Sequence, residues 1–291
     1  MKKTIYLHIG THKTGTTAIQ NLLYENHKLL ETYDVSYLPD NTIWAGHHYL
    51  GWAFRGNTSV LKEYCKFYDY GILNFLEDSI NKSECSKFIL SSENFYMMEN
   101  REYAEKFFER FSNFEIKIIV YLRNQLDFLE AWYYEMVRES YGQMPLDFNT
   151  FVDKPKYNLD YYDMLKKWET FVGKDNMIIK SYEKAKKNKN LLSDFLKIFQ
   201  IDDFEKFSQP KITNERMNDL QLLLIRGINN LSLDSQLRDT VVKEILINEE
   251  IKNNDFSYSV MNTSTKEKIQ KQYALSNQKL FDIYGIKIEM D

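Results

Sequence analysis

The chain has 291 residues, of which 43% are hydrophobic and 27% charged, with only 10 Gly and 4 Pro. This composition excludes a disordered, collagen-like or low-complexity protein. With 38 Lys+Arg against 42 Asp+Glu the net charge is -4, so no general attraction to nucleic acid or to an anionic membrane is built in, and any anion must be bound locally.

In chain order, Thr4–Ile9 is a β-branched and apolar run ending at Gly10, which predicts a buried strand. Ala18, Ile19, Leu22, Leu23, Leu29 and Leu30 follow at spacings of three and four and predict a helix, so the chain opens as strand, tight loop and helix. Phe88–Leu90 and Ile116–Leu122 predict two further strands, each followed by a helical stretch. Met177–Ile179 predicts a fourth before a helix around Leu191–Phe199. Such alternation implies an α/β fold, a P-loop-like three-layer α/β/α arrangement whose central parallel sheet is covered on both faces. Lys184–Lys189 reads as a solvated loop. Beyond about Pro210 the strand signals stop, and 220–231, 237–247 and 266–280 read as amphipathic helices. Without a repeat or a Pro/Gly/Ser-rich linker, a single domain over 1–291 is expected, with an α/β core over roughly 1–209 and a helical C-terminal extension over 210–291.

Cys65 and Cys85 have neither metal-ligand spacing nor disulfide arithmetic, which fits a reducing compartment. No apolar run approaches the roughly 18 residues of a membrane span, and the first chemical motif begins by Gly10. A cytoplasmic chain without a transmembrane segment is expected. Its oligomeric state is left open, because amphipathic C-terminal helices could pack on the core or pair between subunits.

The loop Gly10-Thr11-His12-Lys13-Thr14-Gly15-Thr16-Thr17 lies between the first strand and first helix, where backbone N–H groups and a helix N-terminus form an anion site. Its G-x4-G spacing is that of a Walker A loop, but Thr16 stands where that motif requires Lys, and Lys13 lies inside the loop. A phosphoryl-transfer site also needs Mg²⁺ held by an Asp at the end of a second strand. Here the second and third strands run into Ser91-Ser92-Glu93 and Arg123-Asn124, and an arginine suits a phosphate better than a metal. The pattern implies an anion bound without a metal.

These residues resemble the sulfotransferases that use 3′-phosphoadenosine 5′-phosphosulfate, especially the bacterial carbohydrate-type members. His8–Thr17 resembles their 5′-phosphosulfate loop, Ile118–Asn124 their strand and arginine for the 3′-phosphate, and Ile178–Glu183 their Tyr-Glu strand. Asn214 with the helix from Leu220 resembles a C-terminal element. The likeness spans residue 4 to about 230. It implies transfer of a sulfuryl group to an acceptor hydroxyl, on a surface glycan or its precursor, with no metal required. Thr11, His12, Lys13, Thr14, Gly15, Thr16, Thr17, Arg123 and Tyr182 would bind the donor. The pattern departs at Ala131, where the family has a serine for the 3′-phosphate, and at Gln125, where a proline is frequent. Arg123, as a charged donor, outweighs the missing hydroxyl.

Such a reaction is in-line attack on sulfur, and the main task is to stabilise the oxygen that departs with the phosphate. Lys13 is the cation expected there. A base near neutral pKa is also needed, and the candidates rank His48, then Glu93, then His47. Both histidines lie in the aromatic segment Trp44–Trp52, and Glu93 follows the second strand. Trp44, Tyr49, Trp52, Phe54 and Trp132–Tyr134 could stack on a sugar, although core packing is the stronger reading in a chain with 19 Phe, 21 Tyr and 4 Trp. Two alternatives remain: a small-molecule kinase with a degenerate P-loop, and a non-catalytic nucleotide-binding homologue.

Overall fold

The computed structural model describes residues 2–64, 71–153, 157–210 and 216–290. Cys65 and Asn214 lie outside the described residues. The fold is α/β, with one parallel five-stranded sheet flanked by helices. Its strands are β1 Thr4–His8, β2 Val35–Ser36, β3 Lys87–Ser91, β4 Glu115–Leu122 and β5 Met177–Ser181, in the order β2-β3-β1-β4-β5. β2 has no counterpart in the predicted elements. It is two residues long, too short for periodicity to reveal, and exists by parallel pairing of Val35 and Ser36 with Lys87 and Phe88.

The register places Leu7 between Leu90 and Ile118, and His8 between Ser91 and Ile119. Because side chains alternate along a strand, Tyr6, Ile89, Ile119 and Tyr121 share one face, where they pack with Ile19, Leu22 and Leu23 of helix α1 (Thr16–Glu25) and with Phe195, Leu196 and Phe199. Ile5, Leu7, Phe88, Leu90, Ile118 and Val120 occupy the other face and are also fully buried. Burial on both faces is what a parallel sheet requires and explains the near-continuous apolar strands.

Contacts divide the chain into two units. The first comprises residues 1–123, 160–211 and 276–289, and holds the sheet. The second comprises 124–159, 212–275 and 290–291. Within it, the helix Gln125–Arg138 packs with Asp219–Asn229, while Ser235–Ile247 contributes buried Arg238. Arg238 Nη2 donates to the Val137 and Arg138 carbonyls at 3.0 and 2.9 Å, satisfying the C-terminus of the Gln125–Arg138 helix. The segment 124–159 joins the C-terminal helices through such contacts, a grouping that chain order does not display. Among the described residues no helix is long and apolar enough to cross a membrane.

Candidate active site

β1 lies at the centre of the sheet, so the loop leaving its carboxyl end is bordered by β3 on one side and β4 on the other. The β1–β4 pairing continues past the strand: Tyr121 N–H donates to the Gly10 carbonyl and Thr11 N–H to the Tyr121 carbonyl, at 2.8 and 3.1 Å. Gly10 has φ +95°, and a Cβ there would stand 3.1 Å from both Cα and Cβ of Glu93. Only glycine lets the loop pass this close to the end of β3.

The loop is closed from within. Thr14 Oγ1 and Thr16 Oγ1 both donate to the Thr11 carbonyl, at 2.6 and 3.1 Å, and Thr11, Thr14 and Thr16 are buried. These hydroxyls shape the loop rather than offering their protons outward. Thr17 is exposed at the start of α1. Gly15, in the left-handed region, is the α1 N-cap; no side chain caps this terminus and no acidic residue occupies its first turn. An uncapped N-terminus carries unsatisfied N–H groups and partial positive charge.

Arg123, at the end of β4, donates from Nη1 to the Lys13 carbonyl at 2.8 Å, and its guanidinium lies 5.4 Å from the Tyr182 ring centroid. Tyr161 OH anchors the Arg123 carbonyl at 2.7 Å. The Tyr182 ring edge also approaches Gly15. Thus Lys13, Gly15, Arg123 and Tyr182, dispersed over 170 residues of chain, meet at one loop. Beside them Lys180 forms an ion pair with Asp194 at 2.9 Å, and Tyr121 OH donates to Asp194 at 2.6 Å. Burial, followed by the Asp194 hydrogen bond and charge, raises the Tyr121 phenol far above its ordinary range. In the second unit, Asn124 caps the helix on which Ala131 lies, accepting from Asp127 N–H at 2.8 Å, and buried Gln125 donates to the Leu159 carbonyl.

The candidate bases occupy distinct environments. His47 is 1% exposed; its backbone N–H donates to the Ser91 carbonyl at 2.8 Å, and its Nδ1 accepts from Ser91 N–H at 3.2 Å. Burial, then the neighbouring His48, lowers its pKa to about 3. His47, the N-cap of the helix His48–Arg55, therefore pins the start of that helix to the end of β3, with its ring against Tyr37. His48 begins the helix His48–Arg55, and its Nδ1 is 3.0 Å from Ser92 Oγ. Burial would raise the Glu93 carboxyl, but His48, His12, its own backbone N–H and the Gln20 amide together hold it below the ordinary glutamate value.

Two further groups complete the site. His8, fully buried in β1, hydrogen-bonds Ser91 Oγ through Nδ1 at 2.8 Å, and burial lowers its pKa to about 4 against the opposing charge of Glu93. Gln20 on α1 joins Ser91 to Glu93. Sequence reasoning missed Gln20, although a signal exists: it is a polar residue inside the buried stripe Ile19, Leu22, Leu23, four positions after Thr16. Gly46 and Gly51 were missed as well. A Cβ on Gly51 would fall 2.6 Å from Ser92 Oγ, and one on Gly46 would fall 2.5 Å from His48 Nε2.

Of the aromatic residues, Tyr49 and Phe54 are buried, and Phe54 packs in a ring cluster with Phe95, Phe107 and Trp168. Trp132–Tyr134 belong to the second unit, where Tyr133 donates to the Leu146 carbonyl. Trp52 stacks on His48 at 6.1 Å, and Trp44, 68% exposed, meets Trp52 edge-on at 6.2 Å. Trp44 sits on a tight turn closed by Ile43 and Gly46, with both Trp44 and Ala45 at positive φ. Among the described residues no three His, Cys, Asp or Glu side chains gather as a metal site.

No family model matches the chain. No curated protein matches it either. Among solved structures, the chain is similar to the crystal structure of a sulfotransferase from Alicyclobacillus acidocaldarius, at 12% identity over 97% of this chain and 96% of that one, with a TM-score of 0.52. At that identity the likeness establishes the fold: this chain shares the fold of that sulfotransferase over 97% of its length.

Proposed function

We propose that the chain is a sulfotransferase that moves the sulfuryl group of 3′-phosphoadenosine 5′-phosphosulfate to an acceptor hydroxyl, on a glycan or glycan precursor, in the cytoplasm. The observation that carries the reading is the uncapped α1 N-terminus beneath a loop that also presents Lys13 and is tied to Arg123. That arrangement suits a phosphate flanked by a second phosphate, and no step of it calls on a metal. The likeness of fold to a sulfotransferase supports the same class.

In this reading the N–H groups at the start of α1 hold the 5′-phosphate, and Arg123 with Tyr182 holds the 3′-phosphoadenosine end. The acceptor oxygen forms a bond to sulfur as the bond from sulfur to the bridging phosphate oxygen breaks. Lys13 neutralises the charge that gathers on that bridging oxygen. The hydroxyl proton passes to Glu93, which accepts it as a carboxylate. His47 is assigned a structural role, because its Nδ1 is taken by Ser91 and its ring is buried. Trp44 and Trp52 border His48 and offer an apolar face to the acceptor.

Calorimetric titration with adenosine 3′,5′-bisphosphate tests this directly. Binding without metal, weakened in Arg123→Ala, is expected. Failure to bind the bisphosphate together with Mg²⁺-dependent binding of ATP would move the chain to the nucleotide kinases. Bisphosphate binding without sulfuryl transfer to any of a broad set of hydroxyl acceptors would make it a binding protein.

A further inference from the structure

Gln20 is a polar residue in a position that helix packing would fill with an aliphatic one. It is 2% exposed and lies between Ile19 and Leu22 on the face of α1 that packs on the sheet. Burying an amide there is costly unless its hydrogens find acceptors. They do: Nε2 lies 3.2 Å from Glu93 Oε2, 3.3 Å from Ser91 Oγ and 3.4 Å from the Ser91 carbonyl. All three are acceptors for an amide hydrogen, which fixes the orientation of the amide.

The surrounding backbone is cleared for this contact. A Cβ on Gly46 would stand 2.9 Å from Gln20 Nε2, and one on Gly10 would press on Glu93. Two glycines from two different loops thus make room for the two ends of the Gln20–Glu93 bond. The groups facing Glu93 are His12 from the loop, His48 from its helix, His8 from β1 and Tyr37 after β2, together with Gln20.

We infer that Gln20 is the positioning residue of this site, holding Glu93 Oε2 against the end of β3 so that Oε1 is the oxygen that receives the acceptor proton. The identity of that proton rests on the sulfuryl-transfer reading above; the tie between Gln20 and Glu93 does not.

The test is an NMR pH titration of the full chain with the side-chain amide of Gln20 and the imidazole of His48 observed. In the wild type the Gln20 amide resonances should follow the ionisation of Glu93, and in Glu93→Gln that response should vanish. In Gln20→Met, which keeps the length and loses the donor, the Glu93 step seen at His48 should move up by about half to one pH unit. Gln20→Glu should raise it further, because two carboxyls then share one site. A flat Gln20 response in the wild type, or an unmoved step in a folded Gln20→Met, overturns the inference. Adenosine 3′,5′-bisphosphate binding is measured on the same samples. Retention in Gln20→Met within about threefold is expected for a residue that acts through Glu93 rather than on the donor. A loss beyond tenfold in folded Gln20→Met would overturn the positioning assignment, whereas absence of binding in the wild type sinks the sulfuryl-transfer reading alone.

Discussion

Ser92 Oγ stands 3.0 Å from His48 Nδ1 while accepting the Asn94 backbone N–H at 3.2 Å and its side-chain NH₂ at 3.5 Å. Arg55 Nη1 bonds Asn94 Oδ1 at 3.1 Å, which turns the asparagine nitrogen toward Ser92. With donors on its oxygen, the Ser92 hydroxyl directs its own hydrogen to His48 Nδ1, so the tautomer that fits this bond carries its hydrogen on Nε2. In the proposed reaction His48 Nε2 is then a donor, and Glu93 takes the acceptor proton.

Ser92→Ala should release this tautomer. Ring ¹⁵N shifts of His48 are expected to move from a single Nε2–H form toward a mixture, with turnover of the donor falling by about tenfold, the worth of one neutral hydrogen bond. A His48 ring that keeps its tautomer in Ser92→Ala would show that Ser92 does not set it.

Lys13→Ala should lower kcat by about 10²–10³, the effect of removing one preorganised group from a developing negative charge, and weaken bisphosphate binding far less. Product release from the sulfate donor under saturating conditions measures the first, and calorimetry the second. Equal losses in both would make Lys13 a binding group only.

Arg123→Ala should raise the dissociation constant for adenosine 3′,5′-bisphosphate by about 10- to 150-fold, corresponding to about 1.5–3 kcal/mol for a charge-assisted bond. Arg123→Lys should recover little, because one ammonium replaces neither the Lys13 carbonyl bond nor the stacking on Tyr182.

Folding stability should fall with acid. His8 and His47 have native pKa values lowered to about 4 and about 3 from 6.5, so the unfolded chain binds protons that the native chain does not. Their contribution is complete above pH 6.5 and is lost as pH falls from there toward 4 for His8 and toward 3 for His47, at about 1.4 kcal/mol per pH unit for each. Urea titrations at pH 7.5, 6 and 5 measure the slope. His47→Gln should flatten it, and an unchanged slope would mean that His47 is charged or exposed in the native chain.

Gly51→Ala should destabilise the fold by about 1–3 kcal/mol, because the new methyl meets Ser92 Oγ inside van der Waals contact. Ala45→Gly should have the opposite sign, stabilising by up to about 1 kcal/mol by relieving a non-glycine residue at φ 66°. Thermal unfolding of both variants reads the two signs.

Local pattern was enough for β1, the Gly10–Thr17 loop and α1, because an apolar strand, a glycine at a turn and a helical stripe are each encoded within a few neighbouring residues. It was enough for β3, β4 and β5, and for the C-terminal helices within a few residues of their ends. It could not reveal β2, whose two residues are a strand only because β3 lies beside them. Nor could it group 124–159 with 212–275, since that grouping depends on bonds such as Tyr134 to Asp219 at 2.6 Å.

The sequence by itself determined that a glycine-bounded loop joins the first strand to the first helix, and which residue types stand in it. Only the tertiary structure decided how the candidate bases are divided. It clamped His47 to Ser91, turned His48 Nδ1 to Ser92, and joined Gln20 to Glu93 across 73 positions of chain. The physical reason is register: Ser91 pairs with His8 because β3 lies next to β1, and a slip of one residue would turn His8 and Ser91 to opposite faces. Spacing along the chain carries no trace of that pairing, so the site's hydrogen bonds exist only once the sheet has formed.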